Sequence, residues 1–292
     1  MAARTLAQRK QITAWLYASP LVIVLLPFFV APILVVIIAS FLENDGFGGM
    51  VRHFTLANYA AIFGAELTWR LYLSTIKFAV LTWAATLVFG FWVAYFLVFD
   101  VRNQLLAIGL FLLCTVPFWT SNIIRMISWI PLLGKNGLVN SVLLSSGAIH
   151  QPLEFLLFSD FAVIVAYVHQ LTIFMIVPIF NAMARIDKRT VEAARDAGAS
   201  RFDVMRFIIV PLSKNGIALG SIFVLSIVMG DFFVVKVMSG GGSASIVSAL
   251  FEDIAVLQYP PAAASAVVLL AIVVIMIALI LRTVDVRKEI AR

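Results

Sequence analysis

The sequence predicts an all-α membrane protein with six transmembrane helices, and three observations carry that reading. The chain is 63% hydrophobic and 12% charged, where soluble domains run to about 45–50% apolar and about 25% charged. Its mean hydropathy is +1.06. Six stretches are long and apolar enough to meet the need of a helix for about 20 such residues to cross hydrocarbon, where backbone groups must be satisfied within the segment.

The first stretch, 17–41, follows Arg4, Arg9 and Lys10. It is much longer than the roughly 7–15 residues of a signal-peptide core, so an uncleaved first span is expected. Residues 42–70 then form a connection whose GFGG at 46–49 marks a loop. The second span is expected over 71–99, a short turn with Arg102 over 100–104, and the third span over 105–127. The 128–160 connection carries GKNG at 134–137, and the fourth span covers 161–182. After the charged 183–214 loop come a fifth span over 215–238, the SGGGS of 239–243 and a sixth span over 261–282. The chain reads as a single transmembrane domain over residues 1–292.

Charge sets the orientation. The net charge is +6, and Lys and Arg accumulate in cytoplasmic connections of polytopic proteins. Arg185, Lys188, Arg189, Arg195, Arg201, Arg206 and Lys214 share one loop, and Arg282, Arg287, Lys288 and Arg292 close the chain. Both termini and the 183–214 loop are therefore expected in the cytoplasm. The same rule accounts for the basic balance without nucleic acid. Cys114 is the only cysteine, which excludes an intrachain disulfide. No G-x-x-x-x-G-K-[ST] occurs; Gly134-Lys135-Asn136 lacks the first glycine and the hydroxyl, so no ATPase site of the P-loop kind is expected in this chain.

The most charged long segment, VEAARDAGASRFDVMRFIIVP from Val191 to Pro211, would read in a soluble protein as a DNA-binding helix-turn-helix. Such a unit needs a third helix to pack on, and the segment is pinned between two spans with no room for one. Its local grammar still predicts two short helices. Asp187 caps the first, Gly198 supplies the left-handed residue that ends it, and Ser200 caps the second with Asp203 in a capping-box position. Val191, Ala194 and Ala197/Gly198 make a narrow small-residue strip; Phe202 and Met205 stand one turn apart beside Arg201 and Arg206. Small residues for close approach followed by a Phe suit a protein partner better than solvent.

These residues resemble the EAA loop of the membrane subunits of bacterial ABC importers. That pattern is E-A-A, a glycine four residues after the second alanine, then an apolar stretch ending in V-P or L-P, matched by Glu192, Ala193, Ala194, Gly198, Ala199, Phe202 and Pro211. PFWTSNIIRMISWIPLLGKNGLVN from Pro117 to Asn140, FTLANYAAIF from Phe54 to Phe63 and MGDFF at 229–233 are similar to permease subunits of the spermidine/putrescine-type family. The resemblance implies a type I importer (MetI-like) permease fold with a cytoplasmic coupling helix, in a bacterial inner membrane. It implies a second permease subunit in a heterodimer, two ATPase subunits that bind ATP and Mg, and a periplasmic solute-binding protein, with lipid around the spans. Glu192, Ala193, Ala194, Gly198, Ala199, Arg201, Phe202, Met205 and Arg206 would then form the joint with the ATPase, and the chain would need no cofactor or metal of its own.

Ionisable groups inside spans default to functional candidates: Lys77, Arg125, His169 with Gln170, and Asp231. Lys77 and Arg125 equally fit snorkelling to the outer interface, and His169 fits a bridge between helices. Asp231, a carboxylate beside Gly230, must pair or face water, which points to lining the pathway or pairing with a base such as Lys77. For the solute the resemblance implies a polyamine-type cation, but where the family continues G-D-F with a proline and an acid this chain has Val235 and Lys236. A lysine at the mouth suits an opine, an amino-acid derivative or another zwitterion or anion, so both classes stay open. A stand-alone secondary transporter is the competing class, against which stand the EAA loop and the missing inverted repeat of broken helices.

Overall fold

The computed structural model describes residue 17 and residues 19–45 and 49–283. Arg4, Arg9, Lys10, Arg287, Lys288, Arg292 and the first three residues of the GFGG turn lie outside them. The chain divides into two compact units, one of residues 1–65 and 250–268, the other of residues 66–249 and 269–292.

In the first unit, α1 (Ser19–Ala39) presents Leu21, Ile23, Phe28 and Phe29 outward, as a span facing lipid does. It contains a π-helical turn, Leu26–Val30, closed by the Ala31 N–H donating to the Leu26 carbonyl. The cause is Pro32, which lacks an N–H and whose ring crowds the preceding turn; one extra residue in the turn relieves both. Beyond α1, β1 (Leu42–Asn44) pairs antiparallel with β2 (Met50–Phe54). The all-α expectation is corrected by this hairpin, a feature of the loop that the helical grammar of the spans hides. α2 (Ala57–Gly64) follows. Asn58 Nδ2 donates to the carbonyls of Ser40 and Leu42 at 3.0 and 2.9 Å, Tyr59 Oη lies 2.7 Å from Ser40 Oγ, and Asn44 bonds Gln258.

The second unit is built on three packed helices. α3 (Glu66–Asp100) is followed by α4 (Gln104–Trp119), capped by the Asn103 side chain accepting the Leu105 N–H at 2.9 Å. The expected continuous third span over 105–127 is corrected here: α4 ends in a tight turn at Val116–Trp119, and the chain bends by 93° into Asn122–Ser145. Pro117 and the extended backbone at Thr120 and Ser121 break the helix; a proline cannot continue the hydrogen-bond ladder. Past the bend lie α5 (Asn122–Ile127), α6 (Trp129–Leu133) and α7 (Leu138–Ser145). The described residues thus hold five helices long and apolar enough to span, or six if the bent pair is counted as one.

α8 (Asp160–Ala184) starts at Ser159, whose hydroxyl accepts the Ala162 N–H. Short α9 (Lys188–Asp196) leads to α10 (Arg201–Gly230). The fifth span therefore departs from the expected 215–238: its helix begins at Arg201 and runs through Pro211. As in α1, a π-helical turn, Met205–Ile209, precedes the proline, with the Val210 N–H donating to the Met205 carbonyl. The helix stops at Gly230, and α11 (Phe233–Met238), α12 (Ile246–Ala255) and α13 (Tyr259–Arg282) follow.

Close approach of α3, α8 and α10 rests on small residues, the packing mode of helices in lipid. A Cβ at Gly90 would sit 2.7 Å from Met175 Cγ, and one at Gly220 2.7 Å from Met175 Sδ. Thr82, Thr86 and Ser221 are buried, as are Phe78, Tyr167, Met175 and Val224. Trp83 Nε1 donates to Ser221 Oγ across the α3–α10 contact at 2.8 Å.

Candidate functional site

The α9–α10 corner is held by its own backbone and caps. Asp187 Oδ1 accepts the Arg189 N–H at 2.9 Å. Gly198 has φ +91°, a conformation a side chain strains, and its N–H and that of Ala199 close on the carbonyls of Arg195 and Ala194. Ser200 and Asp203 form a reciprocal capping box: Ser200 Oγ accepts the Asp203 N–H at 3.2 Å, and Asp203 Oδ2 accepts the Ser200 N–H at 3.1 Å. The first short helix, the boundary glycine and the capped start at Ser200 thus stand where the sequence placed them, while the expected second short helix is the first part of α10, which runs on into the fifth span.

Burial sorts the corner into an anchored and an open side. Val191, Val204 and Ile209 are buried, as is Ile186. Glu192, Ala193, Arg195, Gly198, Arg201 and Arg206 are exposed; Ala194, Ala199 and Met205 are half-buried. The small-residue strip expected from the sequence therefore splits, Val191 turning inward and Ala197 and Gly198 outward. Phe202 is 60% exposed and Phe207, which the sequence reading passed over, 68%. Arg206 lies over the Phe207 ring at 5.5 Å.

Within the spans the polar residues fall into three separate groups. Lys77 Nζ pairs with Asp160 Oδ2 at 2.5 Å, so of the two readings of Asp231, lining the pathway or pairing with a base such as Lys77, the second is replaced for Lys77. Asp160 Oδ1 also accepts the Ser243 hydroxyl at 2.5 Å, and the Ile246 N–H donates to Thr75 Oγ1 at 3.0 Å. The 239–243 loop is thereby tied to α3 and α8. Asp160 was legible only as a helix-start residue; nothing in the sequence shows a partner 83 positions away. Replacing Asp160 with Ala is expected to cost the tie roughly 1 kcal/mol and raise amide exchange at Gly241 and Gly242 about fivefold. Unchanged exchange there would show that the loop is held by its backbone alone.

Asp231 instead accepts the Tyr167 hydroxyl at 3.3 Å and the Val234 N–H at 2.9 Å. It stands in the extended break between α10 and α11, where a carboxylate at the start of α11 satisfies a free N–H. The third group joins two candidates that the sequence kept apart: Arg125 and the His169–Gln170 pair line a cavity of about 330 Å³ with Phe89, Phe118 and Thr172. Trp129 Nε1 donates to His169 Nδ1 at 3.2 Å, the rings edge to face at 5.5 Å. A neighbouring apolar cavity of about 390 Å³ shares Phe118 and is lined by Trp119, Phe174, Pro178 and Phe223.

Residues 86–288 match the family described as binding-protein-dependent transport system inner membrane component. The spermidine/putrescine transport system permease protein PotB of Escherichia coli (strain K12) is 35% identical over 213 residues, 73% of this chain and 76% of that protein. The spermidine/putrescine transport system permease protein PotC of the same organism is 34% identical over 67 residues, 23% of this chain and 25% of that protein. Among solved structures, a bacterial alginate ABC transporter in complex with an alginate pentasaccharide-bound periplasmic protein superposes with a TM-score of 0.73, covering 93% of each chain at 15% identity, which establishes a shared fold. A chain of membrane-length helices with this fold, whose sequence matches the family over more than half its length, belongs to the binding-protein-dependent transport system inner membrane components: it is a multi-pass inner-membrane permease subunit of an ABC importer.

Proposed function

We propose that this subunit carries a polyamine-class cation, delivered by a periplasmic binding protein, through a pathway formed with a second permease and driven by two ATPase subunits that bind ATP and Mg. The observation that carries the solute class is the 35% identity to a spermidine/putrescine permease over 73% of the chain. The α9–α10 corner acts as the cytoplasmic coupling element. Gly198 and Ala199 allow close approach, Phe202 and Met205 fill a cleft of the ATPase, and Glu192, Ala193, Ala194, Arg201 and Arg206 orient the contact. Closure of the ATPase pair on ATP moves this corner with α10, because the π-helical turn and Pro211 interrupt no part of the helix between Arg201 and Gly230. Such a rigid connection carries a displacement at the corner to the packed helices α8 and α3. His169 and Gln170 line the solute pathway, with Lys77 and Asp231 holding the surrounding loops and helix ends.

A second reading, a zwitterionic or anionic solute on the same machinery, is supported by exposed Lys236 beside the end of α10. The test is uptake by the complete transporter, with its binding protein and ATP, in proteoliposomes. Labelled spermidine or putrescine is expected to accumulate and to resist competition by amino acids and opines. Accumulation of a carboxylate solute with no polyamine uptake would replace the first reading by the second. Uptake by this chain alone on an ion gradient would overturn both.

A further inference from the structure

Lys77 and Asp160 form, among the described residues, the ion pair that joins two of the packed helices, α3 and α8. The two oxygens of Asp160 have separate duties. Oδ1 takes the Ser243 hydroxyl, which together with the Ile246 N–H on Thr75 holds the 239–243 loop. Oδ2 faces the Lys77 ammonium at 2.5 Å, a contact that does not reach the loop.

Three observations make Oδ2 a place where one ammonium can be exchanged for another. The side chains of Lys77 and Asp160 are 45% and 42% exposed, and a solvated ion pair holds weakly, so a cation from water reaches it at little cost. A displaced Lys77 keeps a second resting place, the face of the Phe78 ring 4.9 Å from its Nζ. Position is the third. α8 has 25 residues and is about 37 Å long at 1.5 Å per residue; its other end leads into the α9–α10 corner. With that corner in the cytoplasm, Asp160 stands at the end of the packed helices where a binding protein delivers solute. Asp231 offers no such place: its partners are the hydroxyl of Tyr167, a buried side chain, and the Val234 N–H.

We propose that Asp160 is an entry site for a primary ammonium group of the solute, and that Lys77 is its built-in competitor. The proposal rests on the polyamine reading above. Lys77 Nζ is a primary alkylammonium with three donors, the same group that ends putrescine and spermidine, so the resident lysine shows that this carboxylate accepts that chemistry. Lys77 closes the site in the absence of solute. An arriving ammonium takes Oδ2, Lys77 withdraws over Phe78, and the Ser243 contact on Oδ1 stays. The carboxylate keeps a cation throughout, which avoids leaving a bare charge at the membrane.

The test reads the amine reactivity of Lys77 in the purified complete transporter, by reductive methylation and peptide mass spectrometry, against Lys135. Lys135 pairs with Glu154 at 2.7 Å and is also exposed, so reagent consumption and salt screening act on both lysines. Putrescine is expected to raise the ratio of Lys77 to Lys135 labelling about fivefold, the scale of releasing an exposed ion pair. Tetramethylammonium, which has no N–H to donate, should leave it unchanged. An unchanged ratio with putrescine, or the same rise with tetramethylammonium, would overturn the proposal. Uptake supplies a second measurement. Removing either partner of a purely structural ion pair has the same effect, whereas removing a competitor and removing its site have opposite effects. Asp160→Asn, which keeps an oxygen for Ser243, is expected to lower spermidine uptake at a subsaturating level of loaded binding protein about fivefold, and Lys77→Gln to raise it about twofold. Equal losses in the two variants would show a tie and no site. Absent uptake of spermidine and putrescine by the wild-type transporter would reject the polyamine reading, while an unchanged labelling ratio beside normal uptake rejects Asp160 alone.

Discussion

Replacing Gly198 with Asp is expected to leave the chain folded and inserted while reducing ATP-driven uptake to background. The argument separates what the substitution does to this chain from what it does to a partner. A Cβ at Gly198 meets nothing within 4 Å, so the chain has room for it. The intrinsic cost is the left-handed backbone at φ +91°, about 1–2 kcal/mol for an ordinary L residue and less for Asp, which tolerates that region. Gly198 lies just past the C-terminal end of α9, where a negative charge meets the helix dipole unfavourably by about 0.3–1 kcal/mol. Neither effect unfolds a membrane domain. At a protein joint the same side chain is different: it fills the close approach and buries an unpaired carboxylate, a loss of about 2–5 kcal/mol and hence of the contact. Uptake in membrane vesicles, the amount of chain in the membrane and co-purification of the ATPase check this together. Gly198→Ala, which adds no charge, should retain much of the activity. Normal uptake by Gly198→Asp would remove the corner from the coupling path.

Replacing Gly216 with Leu should have the opposite signature, loss of the folded chain itself. A Cβ there would lie 2.4 Å from the Pro178 carbonyl oxygen and 2.7 Å from Ala182 Cβ. The first is backbone, which cannot rotate away, so α8 and α10 must separate along their contact. Overpacking by a few methylenes costs about 1–3 kcal/mol where side chains can yield; here the main chain must move, and a loss of about 3 kcal/mol or more is expected. Recovery of the chain from the membrane and its thermal unfolding in detergent should both fall sharply. Gly109→Leu is the control, since a Cβ at Gly109 meets nothing within 4 Å. Equal behaviour of the two variants would show that the α8–α10 contact is looser than its geometry states.

The difference between these two glycines marks where sequence reasoning reaches. Gly198 was legible because its role is local: a glycine after a capped helix, followed by Ser200 and Asp203 at capping-box spacing, encodes its conformation within ten residues. Gly216 was not, because its neighbour Pro178 is 38 positions away, and a lone glycine in an apolar helix carries no mark of what it packs against. The same divide separates the polar residues. Arg125, His169 and Gln170 were nominated as costly groups inside spans, and the cavity gathers them. Asp160 was passed over, and Lys77, offered as one base for Asp231, pairs with Asp160 instead, since ion pairs across helices are set by rotation and depth.

Prolines show a second kind of limit. Pro117 and Pro211 look alike in sequence, each before or within an apolar run, yet the chain breaks by 93° just after the first and runs on through the second. At Pro211 the preceding residues widen into a π-helical turn that absorbs the missing N–H. At Pro117 the turn tightens and the following Thr120 and Ser121 are extended. Both outcomes satisfy the local chemistry, so packing chooses between them.

By itself the sequence determined the solvent of this protein, the apolar stretches that build its long helices and the capped starts and glycine of the α9–α10 corner, because hydropathy, charge and capping act over one helix length or less. Only the tertiary structure decided where the third and fifth spans begin, bend and end, that Lys77 meets Asp160, that Tyr167 meets Asp231, and that Arg125 Nε and Nη1 are buried with no partner among the described residues. Those facts depend on how helices rotate about and slide along one another, and helix packing in lipid is set by the summed fit of many small contacts and not by any motif in one of them.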